Sequence, residues 1–434
     1  MTGNLTIAIF GFAGFALLAR TYSIDEFGKW VLYISSAVFV EMFRFGITNT
    51  AIIRYLAGVG EEKRYNFIGS NGLIGLIATA FIAIVLWSCQ LLFPEPIKNA
   101  GYELFFVWYP ILAFVNLPLN TALVIVQADM QFGKLLTIKF MNSIGFFLIL
   151  LANFLFLHLS LKYLVWSQIS VNIITSAICF YKGWDGLRYI RRANSEATKT
   201  ILSFGKYTTF TLIGTNLLRS ADTLIISLSP LGTAAVALYS IPMKLTELQQ
   251  IPLRSFVATA FPKMSKASIQ NNINEVKNLF YTYSGAMTFL FIFVSLFTFI
   301  FADYFVLILG GRQYLGIDPV TGFSTTTIVR IFSIYGLLLP IDRMTGVALD
   351  SINQPKLNFY KVSFMVAANV IGDLIAVFYF KSLNAVAIGS ILFTLLGIFL
   401  GYYYLKLRME LKLNSVFTSG MDFYRQMFKK VLKK

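Results

Sequence analysis

The chain has 434 residues, 57% of them hydrophobic and 13% charged, with a formal net charge of +16. A soluble domain carries about 25% charged residues, so most of this surface meets something other than water. Apolar runs exceed the roughly 20 residues that cross a hydrocarbon core of about 30 Å, and the short alternating segments of a barrel are absent. The expected fold is all-α and integral to the membrane. No soluble basic-aromatic module is present to hold nucleic acid, so the surplus charge is read as topology.

Twelve transmembrane helices are expected, over roughly 4–20, 30–53, 67–93, 103–126, 135–157, 160–181, 206–229, 235–261, 278–301, 321–345, 359–380 and 384–405. The first apolar stretch, Leu5 to Ala19, lacks the basic start and cleavage site of a signal peptide and reads as a short span. The longest central polar stretch, KGWDGLRYIRRANSEATK, divides an N-terminal six-helix lobe (1–183) from a C-terminal one (205–405), with a basic linker at 184–204. YSIDEFGKWVLY before the second span and LGTAAVALYSI before the eighth suggest a parallel pseudo-repeat, related by an axis along the membrane normal. In the basic tail, 406–434, Phe417, Met421, Tyr424, Phe428 and Val431 fall at helical spacing ahead of clustered lysines. That suits an interface with anionic membrane lipids, or a partly ordered tail.

Of the 36 Lys and Arg residues, 24 fall on one set of loops and the tail, Lys361 counted among them. Six (Arg20, Lys29, Lys98, Lys162, Arg312 and Lys381) fall on the other. This bias places the linker, the tail and both termini in the cytoplasm.

Eleven ionisable residues fall inside the expected spans: Glu41, Arg44, Arg219, Asp222, Lys244, Glu247, Arg254, Arg330, Asp342, Arg343 and Asp373. Each costs roughly 2.5–3.5 kcal/mol at a helix centre, so they should face one another or a water-filled interior. Glu41 with Arg44, Arg219 with Asp222, and Lys244 with Glu247 are three apart and share a helix face; each pair either holds helices in register or lines a polar interior. Arg254 and Arg330 have no acidic residue three or four positions away. Lys244, Glu247 and Arg254 form one stripe, an anion-seeking surface or a set of interhelical pairs. Asp373 has no local basic partner: it either carries H+ or Na+, or accepts a hydrogen bond from a neighbouring helix. Pro110, Pro118, Pro242, Pro252 and Pro340 interrupt spans, as packing kinks or as moving elements.

Cys89 and Cys179 lie in apolar segments and read as packing residues; they form no metal-ligand spacing. His158 is the single histidine, near an outer helix end. No P-loop, Ser–His–Asp set or dinucleotide fingerprint is present, so no cofactor and no enzymatic activity are expected.

Three stretches carry a family resemblance. Residues 19–57, ARTYSIDEFGKWVLYISSAVFVEMFRFGITNTAIIRYLA, residues 219–263, RSADTLIISLSPLGTAAVALYSIPMKLTELQQIPLRSFVATAFPK, and residues 348–405 with their Asn-Gln-Pro-Lys turn resemble the polysaccharide transporter family. These are the O-antigen, or lipid-linked oligosaccharide, flippases of the multidrug/oligosaccharidyl-lipid/polysaccharide flippase superfamily. Arg44 departs from the family, which often has an acidic residue there. The resemblance implies two six-helix lobes around a central cavity of the bacterial cytoplasmic membrane, opening alternately to either side. It implies an oligosaccharide on undecaprenyl pyrophosphate as cargo, with a polysaccharide polymerase and chain-length machinery as possible partners. Arg254, Arg330, Arg219 and Lys244 would attract the pyrophosphate, since guanidinium geometry suits phosphate, and Asn216 and Gln250 would contact sugars. A cation-coupled multidrug exporter on the same scaffold, or a membrane polysaccharide polymerase, are the alternatives.

Overall fold

The computed structural model describes residues 2–56, 60–203, 221–412 and 414–431, some of them by backbone alone. The long helices are α1 (Thr2–Thr21), α2 (Ile24–Leu56), α3 (Glu61–Leu92), α4 (Glu103–Ala128), α5 (Phe132–Ala152) and α6 (Leu161–Tyr181). Residues 221–227 form a helical segment, α7. Then come α8 (Gly232–Ile269), α9 (Ile273–Ile300), α10 (Thr325–Ser351), α11 (Pro355–Leu374), α12 (Leu383–Lys406) and α13 (Asn414–Val431). Among the described residues, nine helices are long and apolar enough to cross a membrane, and residues Thr6–Thr21 add a shorter apolar one. The chain is an all-α, multi-pass membrane protein.

Two of the twelve expected spans are not among these. The seventh, 206–229, lies largely outside the described residues. The eighth corresponds to α8, which is a helix of 38 residues but too polar for the group of nine. The stretch between the ninth and tenth expected spans, 302–320, is partly helical: Ala302–Gly310 is an apolar helix, followed by a 3-10 turn at Arg312–Tyr314.

The helices group into two compact units, one of Met1–Asn216 with Gly232–Ala237, the other of Leu217–Leu231 with Leu238–Lys434. In the first, α4 packs against α2, α3 and α6, and α1 against α5. In the second, α10 packs against α9 and α12, α11 against α12, and α13 against α9.

Local chemistry sets the helix ends. At the start of α2, Ser23 and Glu26 bond to each other's backbone N–H groups, a capping box that satisfies two orphan donors. Ser324 and Ser382 cap α10 and α12. The turn leaving α4 uses Met130 at φ 54°, with Gln131 N–H to Val126 O and Met130 N–H to Gln127 O. The turn leaving α10 repeats this at Asn353, φ 58°, with Gln354 N–H to Leu349 O and Asn353 N–H to Asp350 O. Both are Schellman ends. Further on, α5 widens into a π segment, Asn153–Leu157, and α11 into another, Ile375–Tyr379. His158 and Lys381 then turn the chain at φ 49° and 48°. Asn353 follows Met130 by 223 residues, and Lys381 follows His158 by the same 223.

The stretch read as a linker is folded. Residues Leu187–Arg192 form a 3-10 helix that packs on α3, with Tyr65 against Tyr189 at 4.4 Å between ring centroids and Arg192 over Tyr65. Gly69 permits this docking, because a Cβ there would meet the Tyr189 carbonyl. Asp185 is buried at the start of this segment. That burial raises its carboxyl above the ordinary carboxylate range, although backbone N–H groups and Arg188 oppose the shift.

The basic tail is helical as well. The face of α13 bearing Val416, Gly420 and Tyr424 lies on α9. Gly285 and Gly420 stand backbone to backbone, and Tyr424 Oη donates to Ala286 O at 2.9 Å.

Candidate functional site

The exposed face of α8 is the first candidate. One side of this helix is buried through Thr246, Gln249, Leu253 and Ala260, while Glu247, Arg254 and Ser255 are exposed on the other. Lys244 Nζ pairs with Glu247 at 2.7 Å, and Arg254 Nη2 donates to Gln250 Oε1 at 3.5 Å. Elsewhere the exposed side chains are such as Phe81, Ile84, Leu91 and Phe293, which acyl chains accommodate. Acyl chains cannot solvate Glu247 and Arg254, so this face of α8 meets water. Arg219 and Asn216, expected to contribute, lie outside the described residues.

The second candidate is a buried acid cluster within the second unit. Asp222 on α7 and Asp373 on α11 are 4% and 0% exposed. The Asn369 amide bridges them, donating to Asp222 Oδ1 and to Asp373 Oδ2, each at 3.1 Å. Tyr239 of α8 donates to Asp222 Oδ2 at 2.7 Å. Among the described residues, Asp373 Oδ1 and Asn369 Oδ1 are buried without a hydrogen-bond donor. Two carboxylates in one low-dielectric site cannot both stay charged unless a cation or a shared proton joins them. Asp373 therefore does not stand alone, as its local sequence indicates; Asp222, Asn369 and Tyr239 complete its surroundings. Asn369 precedes Asp373 by four residues on one helix face, which is the one trace of the cluster that spacing carries.

The Glu41–Arg44 pair is a closed structural network. Arg44 is the largest fully buried side chain. Its guanidinium donates to Glu41 at 2.7 Å, to Thr79 Oγ1 at 2.7 Å and to the Ala113 carbonyl. Glu41 also accepts from Tyr109 at 3.1 Å and from Asn120 at 3.3 Å. Where the family often has an acid, this chain places a cation whose contacts join α2, α3 and α4.

Two charges sit differently from their sequence-based expectations. Arg330 has an acidic partner after all: Asp303, on the short helix 302–310, lies 3.1 Å away and also accepts from Thr326. A separation of 27 residues hides this pair from helix spacing. Lys361 is not a loop charge. It is buried and pairs with Asp342 at 2.6 Å, so Asp342 belongs to an interhelical pair. Arg343, its neighbour, is exposed. In the first unit, the first turn of α8 is fastened to α2. Thr233 Oγ1 donates to Asp25, and Gly28 lies directly under the Thr233 carbonyl.

These features match known proteins in fold and family. The chain resembles the inward-facing structure of a multidrug resistance MATE family transporter of the MOP superfamily, with TM-score 0.77 and 16% identity over 93% of this chain and 94% of that one. It resembles the lipid II flippase MurJ in an inward closed conformation, with TM-score 0.72 and 14% identity over 100% and 92%. A Pyrococcus furiosus MOP transporter, whose reversed binding-pocket polarity suggests a different function for it, matches at TM-score 0.58 and 16% identity over 94% and 91%. No curated protein sequence matches the chain. The family model described as polysaccharide biosynthesis protein matches residues 1–268, well over half of the chain. The chain belongs to that family, and its fold is similar to that of the MATE transporter and of the lipid II flippase.

Proposed function

We propose that the protein flips an oligosaccharide linked to undecaprenyl pyrophosphate across the bacterial cytoplasmic membrane by alternating access, for polysaccharide or O-antigen assembly. The observation that carries this is the charged stripe of α8, Lys244, Glu247 and Arg254, the last two exposed. The planar fork of the Arg254 guanidinium matches the oxygens of a diphosphate. Lys244 and Arg219 add positive charge, and Gln250 and Asn216 offer hydrogen bonds to sugar hydroxyls. The polyprenyl chain stays in the bilayer while the saccharide crosses beside the wetted face. Arg330 contributes less than Arg254, since Asp303 already neutralises it.

In this scheme the twelve spans form two six-helix lobes, 1–183 and 205–405, with the termini in the cytoplasm. Asp222 and Asp373 form the coupling site, taking up H+ or Na+ on one side and releasing it on the other. A polysaccharide polymerase with its chain-length machinery receives the product. Reconstitution in liposomes with a lipid-linked oligosaccharide, scored for saccharide exposed on the far leaflet, tests the assignment. Arg254→Ala should abolish translocation while leaving membrane insertion unchanged. Wild-type translocation by a well-expressed Arg254→Ala protein would remove the role given to α8.

One observation favours a second reading. The acidic pair, together with the MATE-like fold, also suits an exporter of organic cations. Efflux of such compounds that is lost in Asp373→Asn would promote it.

A further inference from the structure

The helix α11 is built inside out. Its buried residues are Lys361, Met365, Asn369 and Asp373, whereas Phe364, Ile371 and Leu374 are exposed. A spacing of four stacks the buried set along one face. The helix thus turns an ammonium, a thioether, an amide and a carboxyl inward over about 18 Å.

The two ends of this stripe differ. Lys361 forms an ion pair with the Asp342 carboxylate at 2.6 Å and donates to the Asp342 carbonyl at 2.7 Å and to Thr345 Oγ1 at 3.0 Å. At the other end, Asp373 Oδ1 and Asn369 Oδ1 have no hydrogen-bond donor among the described residues. Met365 lies between them. Its thioether packs over Gly397 of α12, where a Cβ would overlap it and would also lie 2.8 Å from Asp342 Oδ1. Gly401, one turn on, makes the same room for Thr345. The approach of α12 through two glycines thus holds the Lys361–Asp342 pair and the Met365 plug in place.

Packing alone gives no reason for this ion pair. Burying two charges costs more than filling the site with apolar side chains of similar volume, and such replacements are often neutral or stabilising. We propose that the buried stripe of α11 is the route by which a monovalent cation moves between the cytoplasm and the Asp222–Asp373 pair, with Lys361, clamped by Asp342, as its gate. The proposal rests on the coupling role given to that acidic pair and on the orientation set by the Lys and Arg bias. While the clamp is closed, the ammonium repels an incoming cation and Met365 denies it water. Opening the clamp frees the cytoplasmic half of α11 from α10 and clears the path. Lys361 is thus a gating residue, acting on the cation through its charge rather than by contact at the site.

The test uses the full chain in liposomes with radiolabelled sodium, and a parallel arm with a pH gradient. The charge-neutral double variant Lys361→Met/Asp342→Asn should pass sodium or protons at least about tenfold faster than wild type, the change given by a barrier lower by about 1.4 kcal/mol. Adding Asp373→Asn should return the leak to baseline. Sodium, or low pH, should raise the thermal midpoint of the double variant as much as that of wild type, because the acidic pair is intact. A folded double variant that leaks no faster than wild type overturns the gate and leaves the coupling site standing. A leak that persists with Asp373→Asn shows a path elsewhere and overturns the route. A wild-type protein indifferent to both cations removes the coupling site, and the gate with it. If the double variant does not fold, Met365→Cys, with Cys89 and Cys179 replaced by alanine, decides the matter. Its thiol should react with a membrane-impermeant cationic methanethiosulfonate from the cytoplasmic side, and saturating sodium or low pH should slow that reaction. A thiol inert from that side, or indifferent to both cations, overturns the proposal.

Discussion

Thr233 Oγ1 donates a hydrogen bond to Asp25, the carboxylate that also holds Lys29 at 2.6 Å. This bond fastens the first turn of α8 to the first turn of α2. A hydrogen bond to a charged group contributes about 1.5–3 kcal/mol, and the half-exposed position of Asp25 favours the lower end. Thr233→Val should lower the thermal midpoint modestly, and a double-mutant cycle with Asp25→Asn should show coupling on the order of 1 kcal/mol. Gly28→Val should be worse than either, because its Cβ would meet the Thr233 carbonyl.

Arg44 and Arg254 are both arginines of expected spans and should behave in opposite ways. Arg44→Ala leaves the half-buried Glu41 without its main partner, a loss toward the lower end of the about 3–5 kcal/mol for a broken buried pair. Folded yield should collapse, measured by monodisperse protein recovered in detergent. Arg254→Ala should keep the yield and lose translocation.

Breaking the Arg330–Asp303 pair should matter little. Both side chains are about half exposed, and exposed ion pairs contribute about 0–1 kcal/mol. Arg330→Gln should retain most translocation in the liposome assay; a loss as complete as that of Arg254→Ala would restore Arg330 to the substrate path.

Asp185 gives a pH-dependent expectation outside the membrane spans. Burial raises its folded pKa, so the fold prefers the protonated form. The stability this confers is full below the unfolded carboxyl value and falls as pH rises towards the folded one. Asp185→Asn should therefore raise the thermal midpoint at neutral pH, and the advantage over wild type should vanish as pH approaches about 4.

Much of the fold was legible in the sequence, because the cost of polar groups in hydrocarbon forces long apolar helices. Apolar length located nine described spans and a shorter first one. The eighth span was expected over 235–261 and is the helix α8, although its polar stripe dilutes its hydropathy below that of the nine. Site chemistry was legible only within one helix turn. Spacing found Glu41 with Arg44 and Lys244 with Glu247, each at three residues. It missed Arg330 with Asp303, Lys361 with Asp342 and Asp222 with Asp373, since those partners meet through tertiary packing. Lys361 was misplaced for a further reason. Six residues from the helix start, it looks like a cytoplasmic anchor, and only its contacts with Asp342 and Thr345 of α10 show that it points inward.

The wide turns that end α5 and α11 say something about ancestry. A π segment needs a ring one residue wider than its helical surroundings, so it marks an irregular step in an otherwise periodic chain. Here that step stands one or two residues ahead of a left-handed residue, twice, with the π segments 222 positions apart and the left-handed residues 223, and the Schellman ends of α4 and α10 also 223 apart. Duplication of one progenitor block would leave this pattern. At the positions 223 residues before Asn369 and Asp373 the chain holds Phe146 and Leu150, so neither polar side chain of α11 has a counterpart there.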